Sequence, residues 1–200
     1  MKIKSDIIFA IIILCVAASS CVKEKLETAY KKQESQIDSY LNSNNKVKRD
    51  STIYYEDGTS KDTTWTDTLK IIYNNGSARL IKKKGSGAKL SENGAVSFYY
   101  AGYIFKNGVR TENLFATNHQ PTAETSKFNI TDPDYSLFEV DMVSTELLEG
   151  LRNGLVGVQT GEECEILFTG KYGYGDISFG IIPANSALIY RIWVVGVSND

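Results

Sequence analysis

The sequence is poor in the residues on which most enzyme chemistry depends. Its 200 residues include one histidine and three cysteines. That supply does not support a tetrahedral Cys/His zinc site, and a Ser-His-Asp triad would have only His119 as its base. His119 stands in a polar stretch and reads as a surface residue. Three prolines exclude a Pro-rich low-complexity chain, and 16 glycines without a three-residue period exclude a collagen-like one. The formal net charge is -2, so the chain as a whole gives no electrostatic support for nucleic-acid binding. Lys82, Lys83 and Lys84 form a short basic run that reads as a solvated strand end. Gly173 and Gly175 do not make a phosphate loop, because no Gly-Lys-Ser/Thr follows them. Aromatic residues, in contrast, are plentiful. Twelve tyrosines and eight phenylalanines can furnish a core and a pocket. With 42% hydrophobic and 23% charged residues, the composition is that of a globular protein.

Lys2 and Lys4 precede an apolar run from Ile7 to Ala18, too short to cross a bilayer comfortably. A basic start, a short apolar stretch and then small residues form a signal-peptide pattern over residues 1–20. Ala17-Ala18-Ser19-Ser20-Cys21 resembles a bacterial lipobox, with Ala18 where leucine is usual. The resemblance implies an acylated Cys21 that anchors the protein to a membrane of the cell envelope, at the outer membrane, its periplasmic face or the cell surface. Each buried acyl CH₂ contributes about 0.8 kcal/mol to such an anchor. Cys15 leaves with the leader, so Cys164 is the remaining thiol and cannot form an internal disulfide. Alternation puts Cys164, Ile166 and Phe168 on one strand face, where Cys164 reads as a small buried hydrophobe.

Residues 21–76 read as an N-terminal extension. Leu26, Ala29, Tyr30, Ile37, Tyr40 and Leu41 recur at helical spacing and predict an amphipathic helix over Glu24 to Asn42. A polar stretch follows, with a short strand expected at Thr52 to Glu56. Asn75-Gly76 predicts a hairpin turn between Leu69 to Tyr73 and Ala78 to Lys83. Residues 77–200 read as one α+β domain. Strands are expected at Val96 to Phe105, Glu162 to Phe168 and Ala187 to Val197. A helix is expected within Ser144 to Gly157, on the stripe Leu147, Leu148, Leu151 and Leu155.

Four segments in this second part carry a family resemblance. They are Val96 to Gly102, Leu148 to Leu155, Val158 to Glu162, and Tyr172-Gly173-Tyr174-Gly175-Asp176 leading to Gly180-Ile181-Ile182-Pro183-Ala184-Asn185. In order and spacing they resemble the FKBP-type peptidyl-prolyl cis-trans isomerase domain, in its bacterial lipoprotein form. The implied fold is an antiparallel half-barrel sheet wrapped around one short helix, preceded by a helical or irregular extension.

The resemblance also implies a site. Tyr174 would donate its hydroxyl to the prolyl amide oxygen, and Tyr100 would form one wall. Phe115, Phe138, Leu147, Leu148, Ile181, Ile182 and Tyr190 would complete the substrate pocket. Leu151 stands at the floor position where familiar members carry tryptophan. The Leu148 backbone N–H would meet a substrate carbonyl. Ala116 replaces the family's pocket aspartate, and the segment from Asn118 to Leu137 has no counterpart. The implied partners are proline-containing polypeptides and, through Cys21, a membrane. Neither a metal nor a cofactor is called for, because turning an X-Pro bond makes and breaks no covalent bond. The implied activity is prolyl isomerisation that assists folding of exported proteins. The alternative is a catalytically weak or inactive domain that serves as a peptide- or protein-binding module.

One further expectation comes from the pattern alone. Leu188, Tyr190, Ile192 and Val194 should face the core, which leaves Ile189, Arg191, Trp193 and Val195 on the opposite face. A strand apolar on both sides is usually covered on both. Either the extension helix or the hairpin before residue 84 is expected to pack there.

Overall fold

A computed structural model describes residues 3–54, 58–128 and 134–199, with side chains described from residue 23 onward except those of Ser51 and Tyr54. Residues 1–2 and the side chains up to residue 22, Cys21 among them, lie outside the description. In chain order the elements are α1 (Ile3–Asn44), β1 (Lys46–Tyr54), β2 (Ser60–Thr68), β3 (Ile71–Asn74), β4 (Ser77–Lys83), β5 (Ser86–Lys89) and β6 (Ala95–Ile104). They continue with β7 (Leu114–Thr117), α2 (Gln120–Ser126), β8 (Phe138–Asp141), α3 (Glu149–Leu155), β9 (Gln159–Thr160), β10 (Glu163–Phe168) and β11 (Leu188–Ser198). No helix of the described residues is long and apolar enough to cross a membrane.

The main sheet runs β3-β4-β10-β11-β6-β7, with β8 also paired to β6, and its pairs are antiparallel. The β3–β4 hairpin turns at Asn75 and Gly76, with φ of 41° and 82°. A two-residue turn of this hand requires positive φ at both positions, which is why Asn-Gly was legible as a hairpin signal. The sheet thus begins at Ile71, ahead of the residue-77 boundary read from the sequence.

The inner face of the sheet carries the core. Phe98, Ile166, Phe168, Leu188 and Ile192 are buried there, together with Leu151 and Leu155 of α3. The helix lies directly on β10. A Cβ added at Gly150 would sit 2.2 Å from the Phe168 ring, and one at Gly154 would sit 2.2 Å from Ile166 Cγ2. Arg79 reaches across from β4 and donates through Nη1 to the Gly154 and Val156 carbonyls at 2.7 and 2.8 Å. Its Nε lies 3.3 Å from Glu162 Oε1, and both side chains are buried. A cation there satisfies carbonyls that the end of a helix leaves unpaired. The helix is shorter than the sequence pattern predicts. Asp141 Oδ1 accepts the N–H groups of Val143 and Ser144 at 2.8 and 2.9 Å and so holds residues 141–144 in a turn.

The outer face is covered, as β11 led us to expect. Ile37 and Leu41 of α1 are buried against Leu80, Leu167 and Ile189, with Trp193 packed at the edge of the cluster. Tyr40 donates to Glu165 Oε2 at 2.9 Å, and Arg191 Nε donates to Glu165 Oε1 at 3.1 Å. Burial and the neighbouring Glu165 carboxylate push the Tyr40 hydroxyl well above its ordinary pKa, so it remains a donor.

Two sequence expectations need correction. The extension contains a long two-stranded hairpin, β1–β2, paired from Lys46↔Thr68 to Tyr54↔Ser60, where only Thr52 to Glu56 was expected as strand. The segment from Asn118 to Leu137, which had no counterpart in the family pattern, contains α2. His119 is not a free surface residue. It precedes α2, its ring stacks on Trp193 at 3.7 Å, and Nδ1 lies 2.8 Å from Thr122 Oγ1.

Candidate active site

The inner face of the sheet, α3 and the two loops beside it enclose a cleft of about 530 Å³. Every pocket residue named from the sequence lines it: Tyr100, Phe115, Phe138, Leu147, Leu148, Leu151, Tyr174, Ile181, Ile182 and Tyr190. Phe98, Ala116, Glu146, Phe179 and Gly180 complete the lining. Phe98 was read as core and serves as both, since it is fully buried and faces the cleft. Glu146 and Phe179 were not singled out, and Gly180 was named only as part of the signature segment. The signal for Phe179 and Gly180 was their position directly before Ile181-Ile182; Glu146 had none.

Strand alternation delivers the back wall. Phe98 and Tyr100 point inward from β6, and Tyr190 points inward from β11. Tyr190 meets Tyr100 at a ring-centroid distance of 6.2 Å, Phe115 at 5.7 Å and Phe168 at 5.9 Å. Gly102 makes this possible. A Cβ there would lie 2.6 Å from Phe115 Cζ and 3.0 Å from Tyr190 Cε1. Phe138, from β8, closes the side at 5.8 Å from Tyr100. Asn118 fixes the edge of this wall. It accepts the Tyr100 N–H at 2.6 Å and donates to the Ser136 carbonyl at 2.9 Å.

Two loops supply the rest. Leu147 and Leu148 precede α3; the Leu148 carbonyl accepts the Arg152 N–H at 3.0 Å, and its own N–H has no partner among the described residues. The loop 170–185 carries Tyr174 and a tight turn. Phe179 and Ile182 exchange backbone bonds of 2.9 and 2.8 Å around Gly180-Ile181, with Gly180 at φ 55°. Phe179 stacks on Tyr174 at 4.9 Å.

The lining is apolar with isolated polar tips. Burial raises the hydroxyl pKa of Tyr100, Tyr174 and Tyr190, so all three are neutral donors at physiological pH. The Tyr174 hydroxyl has no hydrogen-bond partner among the described residues. Ala116 leaves the wall without a carboxylate, and among the described residues Glu146 is the one acid lining the cleft. Leu114 is buried in the outer cluster, and no described residue of 118–137 enters the cleft. Among the described residues no group of three or more His, Cys, Asp or Glu is placed to hold a metal ion. Cys164 is buried, and burial pushes its thiol pKa up, so it is not a nucleophile.

The sequence model of the FKBP-type peptidyl-prolyl cis-trans isomerases matches residues 87–195. The chain belongs to this family. Its FKBP domain is 28% identical over 123 residues to FK506-binding protein 1 of Aspergillus oryzae, which covers 62% of this chain and 99% of that protein. FK506-binding protein 2 of Podospora anserina is 32% identical over 73 residues, covering 36% of this chain and 40% of that protein. Among solved structures, a peptidyl-prolyl cis-trans isomerase from Pseudomonas syringae pv. tomato aligns with a TM-score of 0.50 at 17% identity, covering 86% of this chain and 96% of that one. The FKBP domains of wheat FKBP73 align with a TM-score of 0.51 at 19% identity, covering 70% of this chain and 54% of that one. At these identities the structural likeness speaks for the fold.

Proposed function

We propose that the cleft is the isomerase site of this FKBP-type enzyme, and that the protein works at a membrane of the cell envelope, held by an acylated Cys21, on exported polypeptides. One observation carries the first part. The residues that the family pattern assigns to the pocket come from six separate parts of the chain and line one apolar cleft, where the Tyr174 hydroxyl and the Leu148 N–H have no partner among the described residues.

The chemistry asked of the site is modest. Rotation about an X-Pro bond must break amide resonance, at a barrier of about 20 kcal/mol. A thousand-fold acceleration needs about 4 kcal/mol of preferential binding to the twisted amide. The twisted amide is less dipolar than the planar one, so an apolar cleft favours it. The Tyr174 hydroxyl would hold the prolyl carbonyl, and the Leu148 N–H a flanking one. Ile177, Phe179 and Ile181 are exposed on the loop at the mouth, a surface suited to apolar segments of unfolded chains.

The anchoring part rests on the leader pattern and Cys21 alone. Its test is labelling with a fatty acid in a bacterial host: the parent should carry label in the membrane fraction, and Cys21→Ala should carry none. The site is tested by NMR exchange on X-Pro peptides with the full chain in detergent. Tyr174→Phe should lower kcat/KM about ten-fold, the loss of one hydrogen bond to a polarised group. Ala116→Asp should raise it. A parent that binds the peptides without accelerating exchange, but gains activity with Ala116→Asp, would make the cleft a peptide-binding site.

A further inference from the structure

The loop that carries Tyr174 is fastened at its base by a residue of the N-terminal extension. Gln33 is half-buried on α1, between the half-buried Tyr30 and the buried Ile37. Its Oε1 accepts the Gly170 N–H at 2.9 Å, and its Nε2 donates to the Asn185 carbonyl at 2.7 Å. Gly170 and Asn185 are the two ends of the loop that holds Tyr174, Phe179, Ile181 and Ile182. One side-chain amide therefore bridges both ends.

The surroundings make the base a built junction. The two strands of chain touch there: a Cβ added at Gly170 would lie 2.4 Å from the Asn185 carbonyl carbon. The Gly175 N–H donates to the Gly170 carbonyl at 2.9 Å, and the Asn185 N–H donates to the Gly175 carbonyl at 2.5 Å. Asn185 has a φ of 59°, a left-handed conformation that asparagine adopts more readily than most residues. Tyr30 supplies a second bond from α1, donating to Asn185 Oδ1 at 2.6 Å. Burial raises the Tyr30 hydroxyl pKa, Asp176 adds to the rise and Lys171 opposes it, so the same tyrosine also feels charges within the loop.

We propose that Gln33 is a positioning residue for the isomerase site: its amide clasps the base of the 170–185 loop and so fixes where Tyr174 stands in the cleft. The proposal rests on the reading of the cleft as the isomerase site. Gln33 lies ahead of the family match, which begins at residue 87. It makes a device of this chain's own extension, by which α1 sets the geometry of a pocket on the other face of the sheet.

The test uses the full chain in detergent, with parent, Gln33→Met and Tyr73→Phe compared. Methionine keeps the length and helix propensity of glutamine but can make neither bond to the backbone. Tyr73→Phe removes a different bond to α1, the one from the Tyr73 hydroxyl to Asp38, away from the loop. Amide hydrogen exchange, melting temperature and peptide isomerisation are measured on each. In Gln33→Met the amides of Gly170, Gly175 and Asn185 should exchange faster while those of β10 and β11 do not change. The kcat/KM should fall about three- to ten-fold, as misplacing a group within a site costs rate steeply. Tyr73→Phe should change neither loop exchange nor kcat/KM. Unchanged loop exchange in Gln33→Met, or loosened loop amides with unchanged kcat/KM, would overturn the proposal. If the parent itself does not isomerise, the reading of the cleft fails separately. The clasp is then judged by loop exchange and by peptide affinity, which Gln33→Met must weaken for it to stand.

Discussion

Gly102 decides how deep the cleft is. It faces Phe115 and Tyr190 at distances no side chain can share. Gly102→Ala should push both rings toward the cleft, cost about 1–3 kcal/mol by overpacking, and lower peptide affinity. Thermal unfolding and peptide titration together check this. His119 gives a second residue-scale prediction. Burial against Trp193 lowers its pKa below 6.5, although Glu163 opposes the shift. The unfolded chain therefore binds more protons than the folded one below the ordinary histidine pKa, so stability falls as pH drops through 6.5. His119→Phe keeps a ring on Trp193 and should flatten that part of the Tm-versus-pH curve. At this scale the pocket was readable because its residues sit in motifs with fixed spacing. His119 was not, because its partner Trp193 lies far along the chain and no local pattern announces a stack. The Gln33 clasp was equally hidden, since a glutamine among lysines and glutamates looks like solvent-facing helix.

At the scale of elements, those with apolar periodicity were legible and those held by polar contacts were not. Strands β6, β10 and β11 were expected within a residue or two, because Val96, Phe98 and Tyr100, then Cys164, Ile166 and Phe168, then Leu188, Tyr190, Ile192 and Val194 alternate toward the core. Strand β2 was missed. Its residues Thr63, Thr64, Thr66 and Thr68 are β-branched and favour a strand, but they give no apolar alternation. Helix α2 is short and polar, with Pro121 in its first turn and no side-chain cap from His119, which left little to read. The helix expected within Ser144 to Gly157 begins only at Glu149: the carboxylate of Asp141 holds residues 141–144 in a turn, and Leu148 is extended, features that periodicity does not register. For α3 the decisive contact is Arg79. Arg79→Met should cost about 3–5 kcal/mol, because it leaves Glu162 buried and the last helix carbonyls unpaired. Burial raises the Glu162 pKa and Arg79 lowers it. Without Arg79 the proton is held more tightly, so the cost should be smaller at pH 5 than at pH 8. Urea unfolding at the two pH values tests the sign.

The molecule as a whole is a sheet worked from both sides. Strand β11 sends Tyr190 into the cleft and Ile189 under α1, so the extension and the domain share one wall. Leu41→Ala should cost about 2–5 kcal/mol as a core truncation. It should lower a single unfolding transition, not split off a separate one for the helix, which calorimetry would show. The sharing also bears on how the chain can be divided. The stretch that matches the family begins at residue 87, whereas β4 ends at Lys83 and pairs along the whole of β10. A fragment cut at the family boundary would bare the edge of β10 and strand the Glu162 carboxylate without Arg79. What is recognisable as a domain in this chain is thus smaller than what can stand alone, and dissection by homology would deliver an aggregating piece of an otherwise sound protein.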